Sequence, residues 1–246
     1  HPAWRVDSCP LADGGEGFGA ILTAAAQGSL RAQEVAGPRE TRVSASYGTV
    51  AWRNIPAEAR RHLDLPHDPG PEATIAVIEM ATASGLALLP ESERDPWHTT
   101  SLGTGELMQR AAANGAAAIL LGVGGSATHD LGLGALAALG FQFLDEHGAP
   151  IMPPRPRDWE RITRIAPPDR STLPPIRIAC DVTNPLLGPR GAAAVYGPQK
   201  GLRASDYPRL EQASARLADL LCAACSRPKT LISVPGTGAA GGISFG

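Results

Sequence analysis

Six short segments that combine glycine with small hydroxyl or acidic residues constrain this chain more than any other feature. They are Ala12-Asp13-Gly14-Gly15-Glu16-Gly17, Ala83-Ser84-Gly85-Leu86, Thr100-Ser101-Leu102-Gly103-Thr104-Gly105-Glu106, Gly122 to Asp130, Asp181-Val182-Thr183-Asn184-Pro185 and Pro198-Gln199-Lys200-Gly201. Glycine lets the backbone reach positive φ and approach an anion, while hydroxyls and helix N-terminal amides donate hydrogen bonds. A single turn of this kind merely closes a corner. Six of them, each at a strand-to-helix junction or in a loop, predict a polar cleft suited to phosphate or carboxylate.

The stretches between these segments read as alternating strands and helices. Gly17 to Gln27 has the pattern of a short helix stopped by Gly28. Leu30 to Ala36 and Thr41 to Arg53 are alternating and β-branched, with Tyr47-Gly48 as a bend or turn between strands. Thr74 to Met80 and Ala117 to Val123 are compact apolar runs of buried-strand length. Thr104 to Asn114 predicts a helix with Thr104 as N-cap. A short helix then runs to Gly140, followed by strands at Phe141 to Leu144 and Ile176 to Cys180, and the longest helix spans Asp206 to Ser226. Pro150 to Pro175 holds eight prolines and reads as an irregular loop or a joint between subdomains. The expected fold class is layered α/β/α with a mixed β-sheet, the region from Thr41 to Arg53 adding antiparallel character.

Composition excludes several classes. A formal charge of -2 gives no reason to expect nucleic acid or an anionic membrane as partner. No apolar run is long enough to span a bilayer, and no signal peptide is visible. Cys9, Cys180, Cys222 and Cys225 are too few for a disulfide scaffold and fit a reducing, cytoplasmic setting. Cys222 and Cys225 spell C-x-x-C within a helical pattern, without the second pair that a zinc site needs. Of 22 basic residues only Lys200 and Lys229 are lysines, so a lysine inside a glycine-rich segment stands out.

Asp13, Asp130 and Asp181 sit at the glycine-rich junctions, each suited either to bracing a turn or to holding a cation. Glu16 and Glu106 would repel a bare phosphate, and a divalent cation such as magnesium reconciles acids with phosphate. No G-x-x-x-x-G-K-[ST] is present, which excludes a P-loop enzyme. Gly122-x-Gly124-x-x-Ala127 after a strand, with Asp145 beyond the next one, formally matches a dinucleotide fingerprint. Gly236-x-Gly238-x-x-Gly241 spells the same pattern elsewhere, so the match alone is weak.

The segments PLADGGEGF (10–18), IEMATASGL (78–86), TSLGTGEL (100–107), GVGGSATHDLGLGALAALG (122–140), ACDVTNPLLG (179–188) and GPQKG (197–201), in this order, resemble the bacterial glycerate kinase family, type I. The closing GTGAAGG (236–242) fits as well. The resemblance implies ATP-dependent phosphorylation of D-glycerate, usually to 2-phosphoglycerate, with magnesium. It also implies two α/β domains, one flavodoxin-like and built from both chain ends, the other inserted within it. Residues 1–246 correspond mostly to the inserted domain, and the chain is expected to be truncated at both ends, with the flavodoxin-like partner largely absent. Where the family usually reads Ser-Ala-Thr-Asn-Asp-Gly-Gly, this chain carries His129 and Leu131, and Leu131 is expected to narrow the approach of backbone to ligand.

Under that resemblance Asp181, then Asp13, would accept the glycerate hydroxyl proton, and Lys200 would meet phosphate or carboxylate as a point charge. Gly14, Gly15, Ser84, Gly103, Thr104, Gly105, Gly124, Gly125, Ser126, Thr128 and Asn184 would bind the anionic groups, with Asp181 and Asp130 on magnesium. Glycerate and ATP are the expected partners. The competing expectations are an NAD(P)-dependent oxidoreductase using the Gly122–Ala127 segment and a non-catalytic remnant.

Overall fold

Successive side chains of a strand point to opposite faces, so a continuous apolar run buries both at once, and this chain builds a three-layer fold on that rule. The computed structural model describes residues 10–169 and 173–246; Cys9 lies outside them. Helix α1 (Phe18–Ala25) precedes an antiparallel hairpin of β1 (Ser29–Ala36) and β2 (Arg42–Ala51). After α2 (Ala57–Leu63) come β3 (Thr74–Glu79), α3 (Ala81–Ser84), α4 (Leu102–Ala113) and β4 (Ala116–Gly122). Helix α5 (Leu133–Ala138) leads to β5 (Gln142–Leu144), β6 (Arg164–Ala166) and β7 (Ile176–Ala179). The chain ends through α6 (Ala192–Tyr196) and α7 (Tyr207–Ala224).

The main sheet has the order β1-β2-β3-β4-β7, with β2 antiparallel to both neighbours and β3, β4 and β7 parallel. Register places Glu79, Gly122 and Ala179 side by side at the carboxyl ends of the parallel strands. On one face Ala76, Ile78, Ile119 and Leu121 pack with Leu107 and Met108 of α4. On the other, Val50 and Val77 meet Phe18 of α1, while Ile75 and Ala118 meet Trp52 and Leu63. The expected mixed α/β sheet is therefore present, and β3 and β4 are the continuous apolar runs because both their faces are covered.

A second core forms around α7, whose inward stripe of Leu210, Ser214, Leu217, Ala218 and Leu221 follows helical spacing. It packs on Leu131, Phe143, Trp159 and Ile162. The proline-rich stretch is thus ordered in its described part: a 3-10 turn at Pro156–Arg161 presents the fully buried Trp159, whose indole N–H donates to Pro154 O at 3.1 Å. Arg216 of α7 donates to Ile162 O at 2.9 Å and pins the segment down.

Several local expectations give way. Tyr47-Gly48 makes no turn; β2 runs straight through it, and the hairpin bends at residues 37–41. Gly48 is there for space, since a Cβ on it would lie 1.7 Å from Thr23 Oγ1 of α1. Thr104 does not cap α4, which begins at Leu102; its hydroxyl instead pairs with Ser84 Oγ at 2.8 Å. The dinucleotide reading also falls. The strand that directly follows α5 is not a parallel neighbour of β4, as a dinucleotide-binding βαβ unit requires, and the chain returns beside β4 only at β7. Strand β5 pairs with β6 in a separate two-stranded sheet. Asp145 braces the following turn by accepting from His147 N and Ala149 N.

Candidate active site

Above the aligned ends of β3, β4 and β7 lies a cavity of about 330 Å³. Two of its walls are glycine loops in near-contact. Gly124 N donates to Gly14 O at 2.9 Å, and a Cβ on Gly124 would meet Gly15 Cα at 2.5 Å. Gly14 has φ 101°, and a Cβ there would stand 2.7 Å from Ala179 O. Any side chain at Gly14 or Gly124 would push these loops apart, so glycine here serves close approach. Asp13 and Glu16 come from the first loop, Gly125 and Ser126 from the second, and Asp181 from the end of β7. Asp13, Glu16 and Asp181 are exposed at the cavity. Asp13 also accepts from Gly15 N at 3.0 Å, bracing its own loop.

Lys200 supplies the opposite charge. It ends a 3-10 turn (Pro198–Lys200), is 1% exposed and lines the same cavity. Its Nζ donates to Ser126 Oγ at 2.8 Å and to Thr128 O at 2.6 Å. Neither acceptor is charged. Burial pushes its ammonium down to about 7, with the Asp130 carboxylate pulling the other way.

Behind the loops lies a second ring of polar groups. Asp130 is fully buried and accepts from Ser101 N and Oγ at 2.7 and 2.8 Å and from Gly132 N and Gly134 N, both at 3.2 Å. Burial raises its pKa against those hydrogen bonds. Its oxygens are taken up in tying the loop after β4 to the start of α4, so the expectation of a magnesium ligand at Asp130 does not fit its surroundings. Next to it, His129 Nε2 lies 3.1 Å from Ser214 Oγ, whose own hydroxyl donates to Leu210 O at 2.8 Å. The Ser214 proton is thereby used, so Nε2 is the donor and the ring is the neutral Nε2–H tautomer. Burial, then the Lys200 charge, lowers its pKa to about 3.

Leu131 corrects another expectation. It has φ 54°, is fully buried, and packs into the core around α7 rather than toward the cavity. A left-handed leucine costs about 1–2 kcal/mol, which burial of its side chain, about 1.5–3 kcal/mol, offsets.

Of the residues expected to act, Asp13, Gly15, Gly124, Gly125, Ser126, Asp181 and Lys200 share the cavity. Gly14 backs it. Thr128 gives its carbonyl to Lys200, while its own hydroxyl is buried without a partner. Asn184 reaches it through Tyr196, whose hydroxyl donates to Asn184 Oδ1 at 2.6 Å. Ser84, Gly103, Thr104 and Gly105 lie elsewhere, buried where α4 crosses the sheet and α5. A Cβ on Gly103 would lie 1.9 Å from Ala36 O, and one on Gly105 2.4 Å from Ala135 O. Glu106 also turns away, accepting from Ala36 N at 2.7 Å. Tyr196, Gln199, Ala239 and Ala240 line the cavity without having been singled out. Gln199 and the 236–242 run lie inside quoted motifs, the one signal that could have found them.

Glycine loops and one buried lysine gathered at the carboxyl ends of parallel strands define an α/β protein with a polar cleft at its strand ends, a place where such folds bind ligands. The profile of the glycerate kinase family matches residues 1–246, and the chain belongs to that family. It is 39% identical to the glycerate 2-kinase of Escherichia coli K12 over 98% of this chain and 58% of that protein. With the glycerate kinase of Halalkalibacterium halodurans it shares 38% identity over 96% of this chain and 57% of the relative. A crystal structure from Salmonella typhimurium LT2, provisionally named glycerate kinase 2, superposes with a TM-score of 0.79 at 39% identity, covering 96% of this chain and 57% of that one. The chain thus spans somewhat more than half the length of these relatives. Among the described residues no helix is long and apolar enough to cross a membrane.

Proposed function

We propose that the full-length protein transfers the γ-phosphoryl group of ATP to a hydroxyl of D-glycerate, and that residues 1–246 supply one α/β domain of it, the inserted one, carrying this cavity. The observation that carries the reading is the buried Lys200, held by the loop after β4 in a cavity whose mouth is acidic. One relative bears the name glycerate 2-kinase, which supports 2-phosphoglycerate as product.

Phosphoryl transfer asks a protein mainly for positioning and charge neutralisation. Lys200 provides a cation whose own partners are two neutral oxygens, so an anion entering the cavity gains a charge-assisted hydrogen bond. Gly124 and Gly125 let the backbone come close to that anion, and Ser126 offers a hydroxyl proton, since its oxygen already accepts from Lys200. Asp181 takes the proton of the attacking hydroxyl, with Asp13 as the second candidate.

Among the described residues no cluster of three or more metal-ligating side chains exists. Asp13 and Asp181 nonetheless fit magnesium, which is commonly held by one or two carboxylates and completes its shell with phosphate and water. The bound ion supplies neutralisation of phosphate charge. Turnover of D-glycerate and MgATP by the full-length protein, with the product resolved by phosphorus NMR, tests the reading. Formation of 2-phosphoglycerate is expected; turnover equal to a no-enzyme control in folded protein contradicts it.

A further inference from the structure

Glu79 ends β3 level with Gly122 and Ala179, directly under the cavity, and is only 5% exposed. A buried carboxylate needs donors. Both of its oxygens have one: Oε1 accepts from Gly17 N at 3.1 Å and Oε2 from Gly19 N at 3.0 Å. These are amides of the first turn of α1, where unpaired N–H groups and the helix dipole favour negative charge. Gly17 takes φ 85° to turn the chain into the helix, and a Cβ on Gly19 would lie 3.4 Å from Glu79 Cβ, so helix and strand end touch closely.

The residues just ahead of this turn are Asp13, Gly15 and Glu16 of the cavity wall. Their loop leans on the second wall through Gly14 O and Gly124 N. Glu79 is therefore linked to both walls through two amides and one glycine contact, although it does not line the cavity itself.

We propose that Glu79 is a positioning residue for this cavity: by holding the Gly17 and Gly19 amides it fixes the Asp13–Gly17 loop against the Gly124 loop and sets where the Asp13 and Glu16 carboxylates stand. The proposal rests on the reading of the cavity as a phosphoryl-transfer site. Glu79→Gln keeps the shape but replaces one acceptor with an NH₂ that faces an amide donor. Glu79→Asp keeps the charge and draws it back by one methylene.

The test compares full-length wild type, Glu79→Gln, Glu79→Asp and Thr23→Val. Thr23 Oγ1 donates to Gly19 O at 2.6 Å from within α1, so Thr23→Val loosens the same helix without touching the two amides. Steady-state kinetics with D-glycerate and MgATP, melting temperatures and hydrogen exchange are measured on all four. Glu79→Gln is expected to lower kcat at least tenfold at temperatures where it is fully folded, with Glu79→Asp recovering part of the loss. Thr23→Val should stay within twofold of wild type even where its melting temperature falls as far. Exchange should rise in residues 13–17 and 122–126 in Glu79→Gln but not in Thr23→Val.

Wild-type kinetics in Glu79→Gln with a lowered melting temperature would reduce Glu79 to a helix cap and overturn the proposal. If Glu79→Gln does not fold, the Glu79→Asp result decides in the same terms. Should wild type itself not turn over, the functional reading fails, and the exchange pattern decides on Glu79: unchanged exchange in both loops overturns it.

Discussion

Lys200 is buried with only neutral oxygens as acceptors, an arrangement that costs free energy and that an anion in the proposed site would offset. Its pKa falls from 10.5 in the unfolded chain to about 7 in the folded one. Between those values the unfolded chain binds a proton that the folded chain has released. Unfolding free energy therefore rises with pH across that window, and below pH 7 the full penalty of the buried charge is present. Urea titrations of wild type and Lys200→Met from pH 6 to 10 check this. Wild type should gain stability relative to the variant as pH rises; a difference independent of pH would show that Lys200 keeps its proton. The sequence pointed to Lys200 because lysine is rare here and this one sits between Gln199 and Gly201. It could not show that Asp130, equally conspicuous in its motif, faces inward, because that depends on the amide and hydroxyl of Ser101, which only folding brings to it from 29 residues away.

Helix α4 shows how a glycine-rich motif can belong to packing. Gly103 and Gly105 let α4 lie against the end of β1 and against α5, at distances no Cβ tolerates. Gly103→Ala drives a methyl into the Ala36 carbonyl, and overpacking of this kind costs about 3 kcal/mol. Denaturant unfolding should show that loss while the folded fraction keeps its KM for MgATP. An anion-binding role for Gly103 would give the reverse, a raised KM at unchanged stability. Strands β3 and β4 and helix α7 were legible because burial on two faces, or on one helical stripe, leaves its period in the sequence. The turn wrongly expected at Gly48, the cap at Thr104 and the strand partner of β5 were not. In each case the deciding neighbour, namely Thr23, Ser84 or β6, comes from a separate element.

At the scale of the whole molecule, parallel strand order is what turns scattered motifs into one site. Because β3, β4 and β7 end at one level, the loops that leave β4 and β7 at residues 124 and 181 meet above them. The loop at residue 13 ahead of α1 is tied to the same level through Glu79 and Gly124, and the turn holding Lys200 closes the space. The order of the six motifs carried the family resemblance, and the location of the cavity follows from the topology. Which motifs line it and which brace it from behind required the three-dimensional contacts. The central claim, that this cavity binds the reacting anions with Lys200 as their cation, is tested most directly by kcat/KM of Lys200→Ala in the full-length protein for both D-glycerate and MgATP. Loss of a charge-assisted hydrogen bond of about 1.5–3 kcal/mol predicts a fall of about tenfold or more for at least one substrate, with only partial rescue by Lys200→Arg. Wild-type kcat/KM for both substrates in the alanine variant would contradict the account.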